Sequence, residues 1–139
     1  MAVGLMAEVI IAVDGPAGSG KSSVSKAAAR ELGFGYLDTG AGYRAFAIHK
    51  SNFPDLELAQ LIENFDYSIS IVPDNELVML SGVDVTAEIR TAAVSEAVSF
   101  VAKEQLVRNL QLQDARKRIT DCPNRGIIVE GRDITTVVA

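Results

Sequence analysis

A single cysteine and a single histidine are all that this 139-residue chain offers to soft-metal or imidazole chemistry. Cys122 has no second thiol to bridge with, so an intrachain disulfide is excluded and a reducing, cytoplasmic compartment is expected. One Cys and one His fall short of the ligand set of a structural zinc site. A Ser-His-Asp triad would have to be built on His49, which sits in a lysine-flanked stretch with a helical pattern, where a packing or surface role is expected instead. The 13 Lys and Arg form no basic run and are outnumbered by 18 Asp and Glu, so the electrostatic footprint of a nucleic-acid binder is missing. An acidic chain still binds anions wherever its cations are concentrated in one place. No apolar stretch approaches the ~20 residues that span a bilayer. The apolar start, MAVGLMAEVIIAVDG, has no basic segment ahead of it, so it reads as a short lead into a buried strand, not as a secretion signal. Internal repeats and low-complexity segments are absent too. Hydrophobic residues at 48% and charged residues at 22% complete the profile of one soluble globular domain with a real core.

The pattern along the chain is α/β. Glu8 to Asp14, EVIIAVD, is a continuous apolar, β-branched run of the kind that forms a central parallel strand buried on both faces. Gly15 to Gly20 is a glycine-rich turn. Lys21 to Leu32 reads as a helix with Val24, Ala28 and Leu32 on its apolar face at i, i+4 and i+8, stopped by Gly33. A short strand is expected over Gly35 to Asp38, then helices over Ala41 to Lys50 and Leu56 to Phe65. From Asp66 the period changes to two, with Tyr67, Ile69 and Ile71 alternating with serines; Pro73-Asp74-Asn75 signals a turn, and strands over Glu76 to Leu80 and Gly82 to Val85 complete a small antiparallel hairpin or meander inserted at 66–85. Thr91 to Ile119 is mostly helix, with a break near Lys103 as one possibility. Gly126 to Glu130, GIIVE, is a further buried parallel strand followed by Gly131-Arg132-Asp133. Strands alternating with helices in this order predict a parallel sheet.

The strongest motif is Gly15-Pro16-Ala17-Gly18-Ser19-Gly20-Lys21-Ser22, a full match to G-x-x-x-x-G-K-[ST] between an apolar strand and a helix. Glycines let the backbone wrap closely around phosphate, several N–H groups converge on it, and the helix N-terminus adds partial positive charge. Lys21 is expected to reach the β- and γ-phosphates of a nucleoside triphosphate; Ser22 is placed to hold Mg²⁺, with the Ser23 hydroxyl nearby. Asp14, just before the loop, is expected to brace it or to order metal-bound water. A phosphate cradle does not name a reaction. The base-reading N-K-x-D of GTPases is absent.

Four segments in order, IAVDGPAGSGKSS, LDTGAGYRA, VDVTAEIRT and GIIVEGRDITTVV, resemble bacterial cytidylate kinases, members of the P-loop nucleoside monophosphate kinase family, over about Val9 to Val138. The resemblance implies a three-layer P-loop kinase fold with a parallel sheet, the antiparallel insertion lying in its acceptor-binding region, and transfer of the γ-phosphate of ATP to CMP or dCMP. By the same resemblance, Arg44 and Arg132 grip the acceptor phosphate and act with Lys21 in catalysis. Asp38 and Thr39 line the acceptor loop, and Asp133, Arg108 and Ser99 read the cytosine edge. The chemistry is consistent with this: a guanidinium binds phosphate oxygens bidentately, and a carboxylate accepts from a cytosine amino group. Arg90 falls in a characteristic segment without an assigned task, ligand contact and bracing of the insertion both being open. The partners implied are ATP, CMP and dCMP, with no nucleic acid and no membrane.

The family continues well beyond residue 139. The resemblance therefore implies that residues 1–139 are the N-terminal part of one kinase domain, whose lid and remaining strands lie elsewhere in a parent expected to be monomeric. In that case the first strand would show an unpaired edge and uncovered apolar faces, a self-association hazard. Two other functions stay open: a module that holds nucleotide without turning it over, and another small-molecule P-loop kinase of the shikimate type.

Overall fold

The structure, a computed structural model, describes residues 8–14, 21–132 and 134. The chain divides into two compact units, one comprising Met1–Gly40, Ile71–Asn75 and Leu112–Ala139, the other Ala41–Ser70 and Glu76–Gln111.

The first unit is built on a parallel sheet of three strands, β1 (Val9–Asp14), β2 (Gly35–Asp38) and β6 (Gly126–Gly131), in the order β1-β6-β2. The mixed α/β architecture and both glycine-bounded strands read from the sequence are borne out. The expectation that the first strand is central and buried is not. Among the described residues, β1 pairs only with β6 and lies at the sheet edge, with Val9 and Ile10 40% and 41% exposed. The last strand, β6, takes the centre and buries Ile127, Ile128 and Val129. An apolar run of this length demands burial but does not say which neighbour supplies it.

Helix α1 (Lys21–Leu32) covers one face of this sheet, packing Ala29 with Tyr36 and Ile128, and with Ile11, Val13, Ala28 and Phe34 at the margin. Its buried stripe is Ser25 and Ala29, whereas Val24 is 71% and Leu32 53% exposed. The helical period was read correctly and its phase was not. Small side chains at Ser25 and Ala29 let the helix backbone approach the sheet closely, and the larger residues on the adjacent stripe are turned outward. Gly33 ends α1 with φ +68°, its N–H bonded to the Arg30 carbonyl while the Phe34 N–H reaches the Ala29 carbonyl at 2.9 Å. This pair of bonds caps the helix and needs the left-handed conformation that glycine adopts without strain.

The second unit holds α2 (Thr39–Asn52, from Ala41 onward), α3 (Leu58–Glu63), the antiparallel strands β3 (Tyr67–Ile69), β4 (Val78–Leu80) and β5 (Val83–Asp84), α4 (Ala92–Ala102) and the first part of α5 (Gln105–Thr120). The expected meander is present, with shorter strands than the alternation predicted: β3 ends at Ile69 and β4 begins at Val78, although the Ser70 N–H still donates to the Leu77 carbonyl at 2.9 Å. Ser81 and Gly82, both at positive φ, form the two-residue turn between β4 and β5. Thr86 ties the sheet together: its hydroxyl accepts from the Val78 N–H at 2.9 Å, and its own N–H donates to Asp84. Thr91 caps α4 by accepting from the Val94 N–H, and Lys103 separates α4 from α5, so the long helical region is two helices.

The core of this unit gathers Ala41, Ala45 and Phe46 of α2, Leu61 of α3, Val78 and Leu80 of β4, Ile89, and Val94, Val101 and Val107 of the later helices. His49 belongs to this core, 1% exposed, with its ring edge-on to Phe46 and Phe53 and close to Phe65. Its Nε2 lies 3.0 Å from the Leu61 carbonyl, an acceptor, so the imidazole is the Nε2–H tautomer and donates there. It is a packing residue bridging α2 and α3. No described helix is long and apolar enough to cross a membrane.

Candidate functional site

In an open parallel sheet, ligands gather at the carboxyl ends of the strands. In the first unit that edge is made by Asp14 of β1, Gly131 of β6 and Asp38 of β2, with Asp14 in register with Gly131 and Asp38 with Glu130. Asp14 is exposed there. Helix α1 opens at Lys21, so residues 15–20 join the end of β1 directly to a helix N-terminus. The cradle residues Gly15, Pro16, Ala17, Gly18, Ser19 and Gly20 lie outside the described residues, as does Asp133, and of Lys21 and Ser22 only the backbone is described. The first turn of α1 contains no acidic residue, and Ser23 is exposed on it. The positive end of the helix dipole is thus left for an anion to use.

The neighbouring strand end is tightly organised. The Asp38 carboxylate accepts from the Gly40 N–H at 3.0 Å and so caps the start of α2. The Thr39 hydroxyl donates to the Glu130 carbonyl at 2.9 Å, tying the loop after β2 to the end of β6. Glycine is required at 131 because a Cβ there would overlap the Thr39 hydroxyl and lie 2.9 Å from the Ile134 side chain. Arg132 leaves this knot exposed to solvent. Asp38, Thr39 and Arg132 are therefore brought to one strand edge, and part of the hydrogen-bonding capacity of Asp38 and Thr39 goes into fixing that edge.

Glu130 went unremarked in the sequence, where GIIVE reads simply as a strand. It is 3% exposed, on the central strand, beside Asp38 and Val13 in register. The signal available was its chemistry: a carboxylate closing an otherwise apolar run is costly to bury and calls for a purpose at that position.

In the second unit the three residues taken from the resemblance lie on three helices. Arg44 is half-buried on α2, Ser99 is exposed on α4 with its hydroxyl donating to the Glu96 carbonyl at 3.1 Å, and Arg108 is exposed on α5. Arg90 closes a short 3₁₀ turn, Glu88–Arg90, and both its Nε (3.1 Å) and Nη2 (2.6 Å) meet Glu76 Oε1. This pair braces the segment before β4. No cluster of three or more potential metal-ligating side chains occurs among the described residues.

The family model described as cytidylate kinase matches residues 11–139. A cytidylate kinase of Mycobacterium leprae (strain Br4923) is 43% identical over 136 residues, 96% of this chain and 59% of its own length. One from Rhodococcus opacus (strain B4) is 46% identical over 136 residues, 94% of this chain and 58% of its own. A bifunctional pantoate ligase/cytidylate kinase of Prochlorococcus marinus (strain NATL1A) is 42% identical over 93% of this chain and 26% of its own length. The chain thus spans about three fifths of the length of the single-function curated relatives it matches.

Proposed function

We propose, because this chain belongs to the cytidylate kinase family, that the protein transfers the γ-phosphate of ATP to CMP or dCMP, giving CDP or dCDP, and that residues 1–139 supply the N-terminal part of one kinase domain with 66–85 as its acceptor-side insertion. What supports the reading most is that α1 opens at Lys21 directly behind the end of β1, while Arg132 leaves the adjacent strand at the same edge.

In this reading the backbone N–H groups of residues 15–22 and the start of α1 hold the triphosphate, and Lys21 neutralises charge as it builds on the β- and γ-phosphates. Arg44 and Arg132 grip the phosphate of the acceptor, whose oxygen is already anionic near neutral pH, so no general base is needed. Their work is alignment and charge neutralisation. Ser99, Arg108 and Asp133 read the cytosine edge; Asp38 and Thr39 shape the acceptor loop whose geometry they also fix. A magnesium ion typically uses one or two protein oxygens together with substrate phosphates and water. The Ser22 hydroxyl is a hard oxygen donor of that kind, and the Asp14 carboxylate, exposed at the end of β1, would order water on the ion. When bound, the ion would screen the phosphate charge. The partners under this reading are small nucleotides in the cytoplasm, not nucleic acid or membrane, and the uncovered edge of β1 is a surface through which this chain self-associates.

A coupled assay with ATP, Mg²⁺ and CMP tests it. CDP formation with CMP and dCMP preferred over UMP and AMP is expected. Equal rates with CMP, UMP and AMP would remove the cytosine assignment, phosphorylation of a hydroxyl acceptor such as shikimate would transfer the chain to another kinase type, and nucleotide binding with no CDP would mark it as a holding module.

A further inference from the structure

Gln111 is one of few buried polar side chains in the described structure, 5% exposed near the middle of α5. Its Nε2 donates to the carbonyl of Gly42 in α2 at 3.3 Å, a contact between residues 69 apart in sequence. Gly42 has no backbone need to be glycine: it lies inside a helix and its φ is not positive. A glycine there costs the helix roughly 0.5–1 kcal/mol relative to alanine. The space it leaves is filled by the Gln111 amide: a Cβ on Gly42 would overlap Oε1 and lie 2.9 Å from Cδ. The two residues are complementary, one giving up its side chain so that the other can seat an amide against the backbone.

What flanks them gives the contact a use. Gly42 stands two residues before Arg44, and Gln111 three residues after Arg108, all four within the second unit. An apolar contact between helices tolerates sliding, whereas a buried amide seated on one carbonyl has a single low-energy register. We infer that Gln111 is a positioning residue for the acceptor nucleotide: by locking α5 to α2 at Gly42 it fixes the separation of the guanidinium that grips the phosphate, Arg44, from the one that reads the base, Arg108. This rests on the proposed roles of those two arginines.

The test is calorimetric titration of CMP, and separately of ATP, into this chain and its Gln111→Met, Gly42→Ala and Gly42→Ala/Gln111→Ala variants. Gln111→Met keeps the length and removes the amide. It is expected to weaken CMP binding about fivefold or more and to leave ATP binding unchanged. Gly42→Ala alone is expected to do the same or worse, and the double variant, in which a methyl occupies the vacated amide space, to recover the folding stability that Gly42→Ala loses while binding CMP about as weakly as Gln111→Met, since it too lacks the amide. A Gly42→Ala chain that fails to fold while the double variant folds supports the same contact. Wild-type affinity for CMP in both single variants overturns the inference and leaves the proposed function standing; a wild-type chain that does not bind CMP removes the acceptor reading and the positioning role together. Equal weakening of CMP and ATP would reduce Gln111 to a general packing role and also overturns it.

Discussion

Under the proposed function Lys21 serves ATP and Arg132 the acceptor, and single substitutions separate the two roles. Hydrogen bonds to charged groups are worth about 1.5–3 kcal/mol, so Lys21→Ala is expected to weaken ATP binding roughly ten- to a hundredfold while CMP affinity holds, and Arg132→Ala to do the reverse, both read by calorimetry. Lysine at 132 is expected to restore little, since a point charge does not reproduce the bidentate fork. His49 tests a different feature. Replacing it by Phe keeps the ring among Phe46, Phe53 and Phe65 but leaves the Leu61 carbonyl without its donor. A buried unsatisfied acceptor costs about 1–3 kcal/mol, visible as a lowered denaturation midpoint, and the ¹⁵N shifts of the wild-type ring should report the Nε2–H tautomer. The motif at 15–22 was readable in the sequence because its chemistry is written in consecutive residues, of which 15–20 lie outside the described ones. Glu130 and Gln111 were not, because a carboxylate ending a strand and an amide on a helix acquire meaning only from what lies across from them.

At the scale of elements, α1 shows how far periodicity reaches. The i, i+4, i+8 spacing fixed a helix over Lys21–Leu32, yet two stripes satisfied it and the one with larger side chains was the wrong choice. Closeness of approach to the sheet decided the phase, and no single-helix pattern contains that information. Val24→Lys should therefore change stability by no more than about 0.5 kcal/mol, as exposed substitutions do. Ala29→Leu, which forces a larger side chain under the helix, should cost about 1–3 kcal/mol by the same denaturation measurement. The loop after β6 is held in a similar way. Gly131→Ala pushes against Thr39 and is expected to destabilise the chain, with Thr39→Ala in the same chain relieving part of the loss. In the small sheet, hydrogen bonds from Thr86, side chain first and backbone second, hold the Asp84 carboxyl below its usual range. Its contribution is present above the ordinary carboxylate pKa and is lost as pH falls through the lowered one.

For the whole molecule, the order of elements was readable and the order of strands was not. The sequence runs β1 to β6, but the parallel sheet runs β1-β6-β2, and the strand that appeared most central is its edge among the described residues. Which strand lies inside depends on pairing between segments more than a hundred residues apart, such as Val9 with Gly126. An edge carrying Val9 and Ile10 invites pairing with another copy. Sedimentation should show concentration-dependent association of this chain, reduced by Ile10→Lys. The proposed function turns on whether the acceptor is a cytosine nucleotide. The most direct check is equilibrium binding of CMP, UMP and AMP to this chain in the presence of a non-hydrolysable ATP analogue and Mg²⁺. The result expected is CMP bound at least tenfold more tightly than UMP or AMP, with the preference lost in Arg108→Ala. Indiscriminate binding of all three, or a preference untouched by Arg108→Ala, would contradict it.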